Sequence, residues 1–181
     1  MAARSVHKLD GFVKDILNYS RNSRTSVEVE EIDFSQVVAA VWTELQYMKG
    51  SQEIRLEEKY RTEAVHYNDR RRLLIIFQNI ISNAIKYRSP WVETSWIRVE
   101  VTSDENKVVV TVQDNGIGIE QEQLPKVFNM FYRANERSDG SGIGLYIVKE
   151  AVEKVGGRIH LDSSVGKGTT LTLDLPNHRR L

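Results

Sequence analysis

Two neighbouring stretches of this chain alternate apolar and polar residues with a period of two. Ile97, Val99 and Val101 alternate with Arg98, Glu100 and Thr102. Val108, Val110 and Val112 follow, after a polar turn of Ser103, Asp104, Glu105 and Asn106. Such a period puts every apolar side chain on one face of a strand and leaves the other face wet. A sheet built from such strands needs a cover on one face only. Candidate covers flank it. Asp69 reads as the N-cap of a long amphipathic helix reaching about Tyr87. Asp33, with Gln36 as a capping-box variant, opens a helix that carries Val37, Val38, Val41, Leu45 and Met48 and is expected to end at Gly50. A third helix is expected to start near Gly142. Ile54 and Leu56 suggest a short strand, and further strands are expected around 158–161 and 169–175, the last stopped by Pro176. The pattern predicts an α/β fold, a two-layer sandwich of a mixed sheet covered by helices. With 40% apolar residues in 181, a proper core is possible.

The first residues read differently. Val6, Leu9, Val13 and Ile16, widened by Phe12 and Leu17, make a near-heptad stripe. One such helix cannot bury its stripe alone, so a partner helix is expected. Residues 22–31 read as a linker, which divides the chain into a helix with linker at 1–30 and a globular part at 31–181. Lys plus Arg and Asp plus Glu both total 25, a balance that gives no support to nucleic-acid or acidic-membrane binding. With no Cys, a disulfide scaffold, a thiolate zinc site and cysteine catalysis are excluded. The longest apolar runs, 37–42 and 73–77, fall far short of the ~20 residues that span a bilayer. Met1-Ala2-Ala3-Arg4 leads into a polar helix rather than an apolar leader. A soluble, cytoplasmic chain is expected, with a membrane segment left open for a longer parent protein.

Four features carry candidate chemistry. On the long helix, Asn79 and Asn83 are i and i+4, and Lys86 and Tyr87 continue the same face. Amide oxygens beside a cation suit a Mg²⁺ that keeps waters and bridges phosphates; a solvated face explains the stripe equally simply. Asp114-Asn115-Gly116-Ile117-Gly118 ends a buried strand. Its carboxylate can accept from an exocyclic amine such as adenine N6, whereas guanine presents a carbonyl there; the composition also suits a tight turn. Gly140-Ser141-Gly142-Ile143-Gly144-Leu145 opens a helix whose amides can cradle phosphate, or is an ordinary flexible loop. Gly166-Lys167-Gly168-Thr169 is expected to be a hairpin-type turn whose glycines let the backbone approach the phosphate loop. Taken alone, each reads first as structure.

Together, and in this order, the four supply the parts of a Mg-nucleotide site, and the chain resembles the catalytic ATP-binding domain of sensor histidine kinases. That group shares its superfamily with DNA gyrase, the heat-shock chaperone ATPases and MutL. Residues 79–87 resemble the N box, 114–118 and 140–145 the two glycine boxes, and Val127-Phe128-Asn129-Met130-Phe131-Tyr132-Arg133 the F box. The resemblance covers about 31–176 and implies a Bergerat-type ATP-binding fold preceded by one extended helix. It implies that Asp114 binds adenine, that Asn83 ligates Mg²⁺ with Asn79 assisting, and that Lys86 and Tyr87 face the phosphates. Gly116, Gly118, Gly140, Gly142, Gly144, Leu145 and Thr169 complete the ATP contacts, and Asn79, Asn83 and Lys86 are the implied catalytic set. Residues 120–140 become an ATP lid, anchored by Phe128 and Phe131. Residues 9–21 resemble the end of the second helix of the dimerisation and phosphoacceptor hairpin, whose first helix would precede them. None of His7, His66, His160 and His178 sits in the family's acceptor setting.

Hydrolysing members of the superfamily carry a Glu four residues before the metal Asn. Here that position is Asn79, which cannot take a proton near neutral pH. The expectation is therefore phosphoryl transfer to an imidazole supplied from elsewhere, with a hairpin domain and a response regulator as partners and a homodimer in the full-length protein. The alternatives are a superfamily ATPase and an anti-sigma-type serine kinase or binding module.

Overall fold

The computed structural model describes residues 25–134 and 141–178. The stripe from Val6 to Leu17, read as an extended helix, lies outside the described residues. In chain order the elements are β1 (Glu30–Ile32), α1 (Phe34–Leu45), β2 (Ile54–Thr62), β3 (His66–Asn68), α2 (Arg70–Lys86), β4 (Ser95–Ser103), β5 (Lys107–Asp114), α3 (Gly144–Lys154), β6 (Arg158–Ser164) and β7 (Gly168–Pro176). Five strands form one sheet in the order β2-β4-β5-β7-β6, with β2 parallel to β4 and the other pairs antiparallel. β1 and β3 make a separate antiparallel ribbon. This is the mixed-sheet α/β sandwich that the resemblance implies.

The alternating strands stay in phase across the sheet. Val112, Val110 and Val108 stand opposite Val99, Val101 and Ser103 on one side and Leu171, Leu173 and Leu175 on the other. Every one of these side chains is buried. Burying each Val or Leu contributes about 1.5–3 kcal/mol, so a one-residue slip, which turns a whole row to water, is strongly disfavoured. The helices close over this row. Leu73, Ile76, Phe77, Ile80, Ile81 and Ile85 form the buried stripe of α2, which lies between α1 and α3. Asp33 and Asp69 cap as expected: Asp33 Oδ1 accepts from the Ser35 and Gln36 amides, and Asp69 Oδ1 accepts from the Arg72 amide.

Three boundaries differ from expectation, each for a local reason. α1 ends at Leu45, not Gly50, because the Ser51 hydroxyl bonds the carbonyls of Gln46 and Met48 and Gly50 turns the chain at φ 92°. α3 starts at Gly144, because Gly142 takes φ 72°. The stretch read as a linker runs into β1, and its preceding residues are tied down: Arg72 donates to the Thr25 and Ser26 carbonyls, and the Glu28 amide donates to Asp69 Oδ2.

Candidate functional site

The C-terminal end of β5, one face of α2 and the start of α3 surround a cavity of about 920 Å³. Its wall brings together Asn79, Asn83, Lys86, Tyr87, Asp114, Gly118, Gly142, Gly144, Leu145 and Thr169. Ten of the expected site residues thus share one cleft. Gly116 is not on the wall, and Gly140 lies outside the described residues.

Asp114 sits at the strand tip with its two oxygens in different circumstances. Oδ1 accepts from the Gly116 amide at 2.7 Å and the Thr169 amide at 3.3 Å. Oδ2 takes no hydrogen bond from the described residues. Burial pushes the carboxyl from its ordinary 3.8 up to about 6, against the lowering effect of the Gly116 and Thr169 amides. A half-buried carboxylate with one oxygen fixed and the other open is a directional acceptor for an amine.

The glycines serve chain contacts more than ligand room. A Cβ on Gly118, at φ 70°, would stand 1.9 Å from the Ser164 carbonyl oxygen, and one on Gly168 would stand 1.9 Å from that of Asp114. The β6–β7 turn therefore abuts the first glycine segment and not the phosphate loop, as the Gly166 amide bonding Ile117 O at 2.8 Å also shows. The expected approach to the phosphate loop is corrected accordingly.

On α2 the stripe faces the cavity, not bulk solvent. Asn79 Nδ2 donates to Ile75 O at 2.8 Å, leaving Oδ1 toward α3, 3.0 Å from where a Cβ on Gly144 would stand. The Asn83 amide makes no side-chain hydrogen bond among the described residues. Lys86 Nζ lies 5.2 Å from the Tyr87 ring centroid and forms no ion pair among the described residues. Ile143, the N-cap of α3, brings no side-chain acceptor to the helix start, the kind of end whose amides can hold an anion. Among the described residues no group of three or more His, Cys, Asp or Glu could hold a metal. The metal donors on offer are amide oxygens, which suit a hard cation that also binds phosphate and water.

The F-box expectation is half corrected. Phe128 packs against the core. Phe131 is 53% exposed and takes φ 67°, an uncommon conformation for a bulky residue. Three contributors had no site role in the sequence, although Arg133 and Asn115 belong to the quoted F box and first glycine segment. Arg133 lines the cavity. Ser163 Oγ accepts from the Ile119 amide and donates to Gly168 O, joining the first glycine segment to the last turn; its signal was a polar residue at an inward position of β6. Asn115 bonds the Trp96 amide and Thr94 O, fixing the start of β4 beside Asp114.

A family model described as "Histidine kinase-, DNA gyrase B-, and HSP90-like ATPase" matches residues 68–179. The chain belongs to this family. It is 33% identical over 180 residues to the methanogenesis regulatory histidine kinase FilI of Methanothrix harundinacea, an alignment covering 97% of this chain and 20% of FilI. It is 41% identical over 112 residues to the sensor histidine kinase WalK of Bacillus subtilis, covering 60% of this chain and 18% of WalK. The chain thus spans about a fifth of these relatives' length. Its fold matches the mycobacterial sensor histidine kinase MprB with a TM-score of 0.70 at 24% identity, over 84% of this chain and 100% of that one. As a member of an ATPase family with this cleft, the domain is an ATP-binding one. Among the described residues, no helix is long and apolar enough to cross a membrane.

Proposed function

We propose that this chain is the ATP-binding catalytic part of a sensor histidine kinase. It passes the γ-phosphoryl group of Mg-ATP to a histidine on a hairpin domain, from which a response regulator takes it, in a parent protein that works as a homodimer. The observation that carries the reading is the convergence of Asp114 and the Asn79–Asn83 amides on one cleft.

Asp114 Oδ2 accepts from the adenine amine, and Oδ1 stays fixed by its two backbone donors. A guanine carbonyl at the same place meets a carboxylate and is rejected. Asn83 and Asn79 offer amide oxygens to Mg²⁺, which when bound neutralises phosphate charge and orients the transferring group. Lys86 and the uncapped amides of α3 hold the phosphate tail. Gly144 leaves room for that tail beside Asn79, and Gly142 lets the loop before α3 close against the Phe131 and Tyr132 backbone. Phosphoryl transfer asks the protein mainly for position and charge stabilisation. Asn79 supplies no base for water, so the nucleophile is the imidazole nitrogen. It attacks the γ-phosphorus as the bond to the ADP oxygen breaks.

The purified chain, given Mg-ATP and a separately produced hairpin domain, is expected to place acid-labile phosphate on the hairpin histidine and to show negligible steady hydrolysis alone. Steady ATP turnover without the hairpin assigns an ATPase instead, and acid-stable phosphate on a partner serine assigns a serine kinase; either overturns the kinase reading.

A further inference from the structure

The loop that joins α2 to β4 was absorbed by none of the motifs, yet it reaches the cleft. From Asn79 to Tyr87 is eight residues, about 12 Å along the axis of α2. The two ends of that distance are chemically different. At the Asn79 end stands Gly144 and the uncapped start of α3. At the Tyr87 end the Tyr87 carbonyl accepts from the Ile117 amide at 3.0 Å and lies 2.5 Å from where a Cβ on Gly116 would stand. The cleft thus has a phosphate end and a base end, and the loop leaves α2 from the base end; Tyr87 then stands beside the base rather than at the phosphates as the resemblance implied, while Lys86 reaches back toward the tail with its flexible four-carbon side chain.

Trp91 is in this loop. It lines the cleft while 83% exposed. Its position is set locally, since its amide donates to Oγ of Ser89, itself only 7% exposed. Trp42 packs on the core and Trp96 sits under Arg98 at 4.7 Å, so Trp91 is the tryptophan that lines the cleft. A large flat ring left in water at the mouth of a nucleotide cleft has one natural occupant for its face, a second flat ring.

We propose that the Trp91 indole is an outer wall of the base end, covering the purine when nucleotide binds. The proposal rests on the ATP-binding reading and adds a base-contacting residue to it. Stacking tolerates any base, so Trp91 supplies affinity while Asp114 supplies the choice of adenine.

Calorimetric titration of Mg-ADP and Mg-ATP into wild type, Trp91→Ala, Trp91→Phe and Asp114→Asn tests it. Trp91→Ala is expected to bind both nucleotides about tenfold more weakly and by the same factor, a change equal to about 1.4 kcal/mol. Trp91→Phe is expected to keep most of the affinity. Nucleotide is also expected to quench wild-type tryptophan fluorescence, and Trp91→Phe to lose that quench. Wild-type affinity in Trp91→Ala, or a quench that survives in Trp91→Phe, overturns the wall while leaving the site reading intact. A loss confined to ATP makes Trp91 a phosphate-end residue and also overturns it. Undiminished binding by Asp114→Asn sinks the site reading itself, and the wall with it.

Discussion

Asp114 is the residue whose chemistry is easiest to separate from its structural duty. In Asp114→Asn the Oδ1 acceptor of the Gly116 and Thr169 amides survives. The oxygen proposed to accept from the adenine amine is replaced by an amide nitrogen, a donor facing a donor. A hydrogen bond to a charged group contributes about 1.5–3 kcal/mol, and here it is replaced by a mismatch. Adenine-nucleotide affinity is therefore expected to fall at least about a hundredfold, with the fold intact by circular dichroism. Titration gives a second handle. The carboxyl ionises near 6 in the folded chain and near 3.8 unfolded, so stability from this group is present below pH 3.8 and lost as pH rises to about 6. His66 works in the opposite sense. It is buried against the Phe34 ring at 5.3 Å, and burial, with His178 nearby, lowers it from 6.5 to about 4. The unfolded chain takes up that proton first, so stability falls as pH drops from 6.5 to about 4. The two groups oppose each other between pH 6 and 4. Denaturant titrations are expected to show wild type losing stability less steeply across that window than Asp114→Asn, which lacks the compensating group. Equal slopes refute the assignment of the raised carboxyl. Nucleotide affinity of the wild type is expected to weaken below about pH 6, as the acceptor is protonated.

At the scale of elements, α2 shows how one helix does two jobs. Its Asn79, Asn83, Lys86 and Tyr87 face the cleft, while its first turn anchors the chain before β1. Asp69 and Arg72, both almost wholly buried, form an ion pair. Arg72 also holds the Thr25 and Ser26 carbonyls, and Asp69 also accepts from the Glu28 amide. Arg72→Leu leaves the Asp69 carboxylate buried beside an apolar side chain. Breaking such a pair costs about 3–5 kcal/mol, and a loss of that size is expected in urea unfolding. Nucleotide affinity is expected to be nearly unchanged, because Arg72 lies about two turns from Asn79 on α2. This anchor was not legible in the sequence, because Asp69 reads as a cap and Arg72 as one of several surface arginines. The central strands were legible, because each is wet on one face and so alternates. β2 was seen only at Ile54 and Leu56, because past them this edge strand runs Glu57-Glu58-Lys59 with little of it buried. β1 and β3, three residues each, are too short for any period to show.

For the whole molecule, the order of the boxes along the chain carried the site better than any one box. Each feature alone suits an ordinary turn, helix face or loop, and only the sheet and α2 bring Asp114 and Asn83 to one cavity. What sequence order could not convey was contact between distant segments: Ser163 against Ile119, Gly168 against Asp114, and the loop of Trp91 at the cleft mouth. Because the cleft draws on β5, α2, α3 and the β6–β7 turn, a ligand there binds the folded state and has no site in the unfolded chain. Mass action then stabilises the whole domain. At a hundred times its dissociation constant, Mg-ATP is expected to contribute about 2.7 kcal/mol. For a domain of this size each kcal/mol moves the melting temperature by roughly 2–4 °C, so the midpoint is expected to rise by roughly 5–11 °C. Mg-GTP at the same concentration is expected to move it far less, since on the proposed placement of the base the Asp114 carboxylate would face the guanine carbonyl. A differential scanning experiment with ATP, ADP and GTP in the presence of Mg²⁺ reads all three. Equal shifts for ATP and GTP would place the base somewhere other than against Asp114. No shift with any of them would mean that the convergence of these four elements does not make a nucleotide site.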